Sequence, residues 1–315
     1  MAAVIPLHLK GRDFLRVNDW AAGEIQVVLD LADVLKAEQK QGMPHRHLEG
    51  RTLAMIFAKP STRTRVSFAV GIAQLGGSAL PLSEAELQLS RGEPIADTAR
   101  VLSRYLDAVV IRTFRQADVD EFAEHASIPV LNGLTDEFHP CQALADVMTI
   151  RERFGAGQGI RVVYLGDGNN VCHSLMVACA KLGMRFVAAT PPGYEPSEEV
   201  VGWARRAAES SGGSVEIVHD PDTAVEAADV LYTDVWASMG QEAERERRLR
   251  DLAGYRIDRE RVALASERAI VLHCLPAHRG EEITDDVLDG PQSAVWDQAE
   301  NRLHTQKALM ALVIP

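Results

Sequence analysis

Aromatic side chains are scarce in this chain, 5% of 315 residues, and the four cysteines show no repeated spacing. So few cysteines fit a reducing compartment better than a disulfide framework. No apolar run approaches the ~20 residues that cross a bilayer. The first residues, Met1 to Lys10, have neither a charged start leading into an apolar run nor a small-residue cleavage site, so a cytoplasmic protein is expected. Positive charge is also in deficit, with 33 Lys plus Arg against 45 Asp plus Glu and a formal net charge of -12. That balance repels nucleic acid and anionic membranes over most of the surface, so neither is an expected partner. An anionic small molecule needs a local basic pocket. Internal repeats and low-complexity tracts are absent too, which removes solenoids, propellers and disordered arrays.

What is present is an ordinary globular composition, 46% hydrophobic and 25% charged, at a length that suits two domains. Thr52 to Ala58 reads as a buried strand, and after Pro60 a helix is expected to bury Val66, Ala69, Val70 and Ala73 until Gly76 and Gly77 stop it. Ile95, Thr98, Leu102 and Tyr105 continue at helical spacing, Ala108 to Ile111 and Ile128 to Leu131 read as strands, and Pro140 opens a helix through Phe154. The glycine-rich stretch Gly155 to Gly159 lies near the midpoint, so residues 1–150 and 151–295 are the expected domains. Strands at Ile160 to Leu165, Phe186 to Ala189, Val215 to Val218, Val230 to Thr233 and Ile270 to Cys274 alternate with helical stretches. Such alternation predicts α/β architecture, a parallel sheet flanked by helices in each domain. Trp296 to Leu312 reads as a last amphipathic helix, and the charged run Glu242 to Asp251 as a solvated helix face.

The string Lys59-Pro60-Ser61-Thr62-Arg63-Thr64-Arg65 lies where a buried strand passes into a helix. Outward N–H groups, the helix dipole, hydroxyl donors and two guanidiniums make that junction an anion site, although Ser61 could equally act as a plain helix cap. Phe138-His139-Pro140-Cys141-Gln142 occupies the same kind of junction. His139 can donate to a carbonyl oxygen and Gln142 can accept from an amide. Arg112 ends a strand and could pair with a surface carboxylate instead. In the second half, Gly166-Asp167-Gly168-Asn169-Asn170 resembles a dinucleotide loop, but Val171 stands where the third glycine belongs. Asp234-Val235-Trp236-Ala237-Ser238-Met239-Gly240 offers an acid and a hydroxyl to an amine ligand. His273-Cys274-Leu275-Pro276 ends another strand, and an inert thiol is the commoner state of such a cysteine. The adjacent His and Cys pairs lack the paired C-x-x-C spacing of a zinc site, so no metal is expected.

Taken together these strings resemble the ornithine carbamoyltransferase family. The resemblance runs from Ser61 through Arg112, His139 to Gln142, Asn169-Asn170, Asp234 to Gly240 and His273 to Pro276, as far as Ala299-Glu300-Asn301-Arg302. It implies two α/β domains with the active site in the cleft between them. The first would bind carbamoyl phosphate, the second L-ornithine, and the helix from 296 to 315 would pack back on the first. Ser61, Thr62, Arg63, Thr64, Arg112, His139, Pro140, Cys141, Gln142, Cys274, Leu275 and Arg302 would serve carbamoyl phosphate. Gln88 would reach a neighbouring subunit's site, which implies a homotrimer or a multiple of trimers. Asn170, Asp234, Ser238 and Met239 would hold ornithine. Arg112, His139 and Cys274 would be catalytic, Cys274 as a thiolate favoured by arginines, with no cofactor. The product would be L-citrulline. A carbamoyltransferase for putrescine, N-acetylornithine or aspartate, or a nucleotide-binding protein, are the competing expectations.

Overall fold

The computed structural model describes residues 7–83, 87–155, 157–237 and 242–315. The chain divides into two compact units, Met1–Ala145 with Asn301–Pro315, and Asp146–Glu300.

Unit 1 opens with α1 (Ala22–Lys40), then alternates β1 (Thr52–Phe57), α2 (Arg63–Gln74), β2 (Ser78–Ser83), α3 (Ile95–Leu102), β3 (Ala108–Arg112), α4 (Gln116–His125), β4 (Val130–Leu134) and the first residues of α5 (Pro140–Phe154). All strand pairs are parallel, in the order β2-β1-β3-β4. β1 and β3 are continuous apolar runs buried on both faces, as a helix-covered parallel sheet requires. The edge strand β2 is half exposed and carries Pro81, a residue that an edge tolerates and a centre does not. That polar, proline-bearing pattern conceals it from a search for apolar runs.

The buried face of α2 differs from the expected one. Thr64, Phe68, Gly71 and Ile72 face the core, whereas Val66 and Val70 are exposed. Both stripes have helical spacing, but Phe68, Ile72 and the following Leu75 remove more apolar area from water than two valines and two alanines. Gly71 lets the C-terminal helix approach closely, since a Cβ there would stand 3.0 Å from Met310 Cε and 3.2 Å from Lys307 Cγ and push both side chains aside.

Unit 2 contains β5 (Arg161–Leu165), α6 (Asn170–Lys181), β6 (Arg185–Ala189), α7 (Glu198–Ser211), β7 (Ser214–Val218), α8 (Pro221–Val225), β8 (Val230–Thr233), α9 (Arg245–Leu252), α10 (Arg259–Leu264), β9 (Ile270–His273) and α11 (Asp285–Leu288). Its five parallel strands run β7-β6-β5-β8-β9. Val163, Leu165, Val187, Leu231 and Val271 form one side of the core against Ile257, Val287 and Leu288. The last helix, α12 (Val295–Val313), begins in unit 2 and from Asn301 belongs to unit 1, where Lys36 Nζ donates to Asn301 Oδ1 at 2.7 Å. No helix of the described residues is long and apolar enough to cross a membrane.

Candidate active site

In an open parallel sheet ligands collect beyond the strand C-termini, where the strand order reverses direction. In unit 1 that point lies between β1 and β3; in unit 2 it lies between β5 and β8. The strings singled out in the sequence follow these strands or their neighbours.

In unit 1, Arg112 is the last residue of β3, and its Nη1 donates to Thr64 Oγ1 at 3.3 Å. Arg302, from α12, donates Nη2 to the same hydroxyl at 3.1 Å and Nη1 to Gln142 Oε1 at 2.7 Å. All four side chains are buried. Two guanidiniums converging on one hydroxyl repel one another, and a doubly charged anion would relieve that repulsion. Ser61 does cap the helix, accepting the Thr64 N–H at 3.2 Å. The cap and the anion site therefore coexist. Arg63, half buried in the first turn, has no hydrogen-bond or ion-pair partner for its guanidinium among the described residues, and Thr62 beside it is exposed. Lys59, also buried, pairs with Asp136 and lies 4.3 Å from the centre of the Phe114 ring, so it braces the loop.

His139 precedes α5 and is buried. Burial, then the charges of Arg302, Arg112 and Arg63, hold its pKa well below the usual 6.5. The imidazole is neutral at physiological pH and can donate one N–H to a carbonyl oxygen. Pro140 supplies the first residue of α5. Gln142 has its carbonyl oxygen engaged by Arg302, yet an amide oxygen has two lone pairs and can accept a second N–H. The Cys141 side chain is fully buried and donates to Asn132 O at 3.3 Å, and burial pushes its thiol up to about 12. It joins α5 to β4. Gln88 lies exposed in a single 3-10 turn, Gln88–Arg91.

In unit 2, Asp234 follows β8 and Cys274 follows β9. The Cys274 thiol donates to Asp234 Oδ1 at 2.8 Å. A carboxylate is thus a direct neighbour of the thiol, where arginines were expected from the sequence. Asp234 Oδ1 also accepts the Val235 N–H at 2.8 Å, and Oδ2 accepts from Asn169 Nδ2 at 2.9 Å. Asn169, passed over in favour of Asn170, is the organiser of this loop. Its oxygen caps α6 through the Val171 and Cys172 N–H groups and accepts from the Tyr164 hydroxyl, while its amide holds Asp234. The N-cap preference of asparagine one residue before an apolar helix was the available signal. Asn170 is the first residue of α6, half exposed. Ser238, Met239 and Gly240 lie outside the described residues.

Two further connections escaped the sequence. Arg248, in the run expected to be solvated, donates to Asp167 Oδ2 at 2.7 Å and to Trp236 O at 3.3 Å, tying the β5 loop to the β8 loop. Gln306, one turn beyond Arg302, accepts from Arg302 Nε at 3.0 Å and donates to Ser67 Oγ at 2.8 Å, which docks Arg302 on α2.

The dinucleotide reading fails on geometry. A Cβ at Gly168 would stand 2.3 Å from Pro196 N, so the chain itself fills the space beside that glycine, and Asn169 already occupies the N–H groups that would bind pyrophosphate. Asp234, His273 and Cys274 offer three ligand atoms within 4.8 Å of one another. However, the His273 Nδ1 accepts the Leu275 N–H at 2.8 Å and its Nε2 faces Glu282 Oε1 at 3.1 Å. Binding a metal there means breaking those bonds and the Cys274–Asp234 bond.

The family model described as the carbamoyl-P binding domain of aspartate/ornithine carbamoyltransferase matches residues 12–152, and that of the Asp/Orn binding domain matches residues 158–313. The ornithine carbamoyltransferase of Pyrococcus horikoshii is 59% identical over 308 residues, 98% of this chain and 97% of that protein. A protein of Pyrococcus furiosus named as the anabolic ornithine carbamoyltransferase is 60% identical over 308 residues, covering 98% of each chain. The solved structure of the Pyrococcus furiosus ornithine carbamoyltransferase superposes with a TM-score of 0.95 at 59% identity, over 97% of this chain and 98% of that one. The ornithine carbamoyltransferase structure from Thermus thermophilus gives 0.86 at 39% identity, over 96% and 99%.

Proposed function

This chain belongs to the aspartate/ornithine carbamoyltransferase family, and from that premise we propose that it transfers the carbamoyl group of carbamoyl phosphate to the side-chain amine of L-ornithine, giving L-citrulline and phosphate. The observation that carries the donor half is the convergence of Arg112 and Arg302 on Thr64, beside Arg63, whose guanidinium has no partner among the described residues. Ser61, Thr62, Arg63 and Thr64 grip the phosphate; Arg112, neutral His139 and Thr64 polarise the carbonyl oxygen, and Gln142 accepts from the amide. Arg302 orients Gln142 and adds charge. Pro140 and Leu275 contribute backbone rather than side-chain polarity.

For the acceptor half, Asp234 with Asn170, Ser238 and Met239 holds the amino acid. The side-chain amine of ornithine titrates near ~10.4 and must lose a proton before it attacks. The Asp234–Cys274 pair receives it, the carboxylate being the base and the thiol its hydrogen-bonded neighbour. A C–N bond then forms at the carbamoyl carbon, the C–O bond to phosphate breaks, and phosphate departs with the electron pair and takes up the second proton that the amine nitrogen gives up. Residues 1–150 are the donor-binding domain on this reading and 151–295 the acceptor-binding domain. The assembly is a cytoplasmic homotrimer or a multiple of it, with Gln88 serving a neighbouring subunit, and the pathway is arginine metabolism.

The direct experiment supplies carbamoyl phosphate with ornithine, putrescine, N-acetylornithine or aspartate, measures phosphate release and weighs the product. Release with ornithine alone and a citrulline mass is expected. Release with another acceptor overturns the Asp234 assignment and keeps the donor site.

A further inference from the structure

β9 ends on a buried side chain that the proposed chemistry does not use. The His273 and Glu282 side chains have no exposed surface. His273 Nδ1 accepts the Leu275 N–H at 2.8 Å, and Nε2 lies 3.1 Å from Glu282 Oε1. A ring nitrogen that accepts a backbone N–H cannot carry the proton, so the ring is the neutral Nε2–H tautomer and Glu282 is the acceptor that selects it. Glu282 is itself fixed, since the same oxygen accepts the His278 N–H. The His273 N–H is tied to Gln298 Oε1 at 2.9 Å.

What this arrangement holds is unusual. Leu275 has φ +58°, a left-handed conformation that a side chain of its size rarely adopts. The residue before it is Cys274, whose thiol donates to Asp234. The backbone that aims Cys274 therefore takes a disfavoured turn, and the hydrogen bond from the Leu275 N–H to His273 helps to retain it. In the other tautomer, Nδ1–H would oppose Leu275 N–H, donor against donor, and the turn would lose its support.

We propose that Glu282 and His273 are positioning residues: the carboxylate sets the imidazole tautomer, and the imidazole holds the Cys274–Leu275 backbone in register with Asp234. This rests on the reading of the Asp234–Cys274 pair as the acceptor side of a carbamoyl transfer. Neither residue touches substrate on this assignment, so their loss affects turnover through geometry.

Two measurements test it. Ring nitrogen-15 correlation spectra of histidine-labelled wild-type enzyme should show one buried histidine as the neutral Nε2–H tautomer, lost in His273→Asn; an Nδ1–H tautomer at His273 overturns the proposal. In kinetics, Glu282→Met should lower kcat roughly 10- to 100-fold with the KM for carbamoyl phosphate changed less than about twofold, and Glu282→Gln, which keeps an acceptor oxygen, should restore most of it. Unchanged kcat in Glu282→Met, or equal losses in Met and Gln variants, refutes the positioning role. Should Glu282→Met fail to fold, His273→Asn replaces it: Oδ1 stands near the place of Nδ1, so it should turn over faster than His273→Leu, and equal rates count against the proposal. A wild-type enzyme that makes no citrulline would sink the functional reading instead, while the spectra still report on the tautomer.

Discussion

At its topological switch point, unit 1 gathers guanidiniums around a hydroxyl, with Arg63, Arg112 and Arg302 near Thr64. At the corresponding point unit 2 gathers carboxylates around an amide, with Asp167 and Asp234 near Asn169 and a thiol donating inward. The sheets are built alike, all parallel and reversing order at one place. The loops differ in sign. Architecture thus supplies the position and the loop residues supply the ligand: a phosphate suits the first cluster, an ammonium-bearing amino acid the second. The same opposition appears in the titratable groups. Burial and then cationic neighbours keep His139 neutral, while burial and the nearby Asp234 raise the carboxyl of Asp167 despite Arg248.

The sharpest test of that contrast removes one charge from each cluster. Arg112→Leu should lower kcat roughly 100- to 1000-fold, the scale of losing one preorganised donor at a developing oxyanion, with little change in ornithine KM under steady-state assay. Equal effects on both would erase the distinction between the clusters. Asp234→Asn should act on the other side, raising ornithine KM roughly 10- to 100-fold, the value of one charge-assisted hydrogen bond, lowering kcat as well because the base is lost, and leaving carbamoyl phosphate binding by calorimetry unchanged.

Much of this contrast was legible in the sequence because each cluster is carried by a short string at a strand end, where β1, β3 and β4 or β8 and β9 stop. What escaped depends on partners distant along the chain. Nothing local distinguishes Arg248, in a run of charges, from its solvated neighbours; only the fold brings Asp167 to it. The Cys141 side chain, inside one of the strings singled out, faces β4, because the first turn of α5 alternates sides faster than a string of letters reveals. The face of α2 was misjudged for a related reason, two stripes of equal period and unequal bulk.

The smallest predicted effect concerns acid stability. The folded pKa of His139 lies well below 6.5. Between those values the unfolded chain binds a proton that the folded chain refuses, so stability falls as pH drops through that window. Asp167 contributes with the opposite sign: its raised carboxyl binds a proton in the folded state first, which favours the fold as pH falls toward and below the raised value. His139→Asn should therefore flatten the acid limb of a urea-midpoint profile taken from about pH 7 down to about pH 5. An unchanged slope would mean that folding does not depress the pKa of this histidine.

Three of the four sulfurs, those of Cys141, Cys172 and Cys179, are sealed inside the packed core, and Cys274 alone reaches partway to the surface. A chromogenic thiol reagent added to the native enzyme should thus count at most one sulfur before unfolding and the remaining three only as molecules open. The protein carries its own unfolding clock, readable in a spectrophotometer without any label.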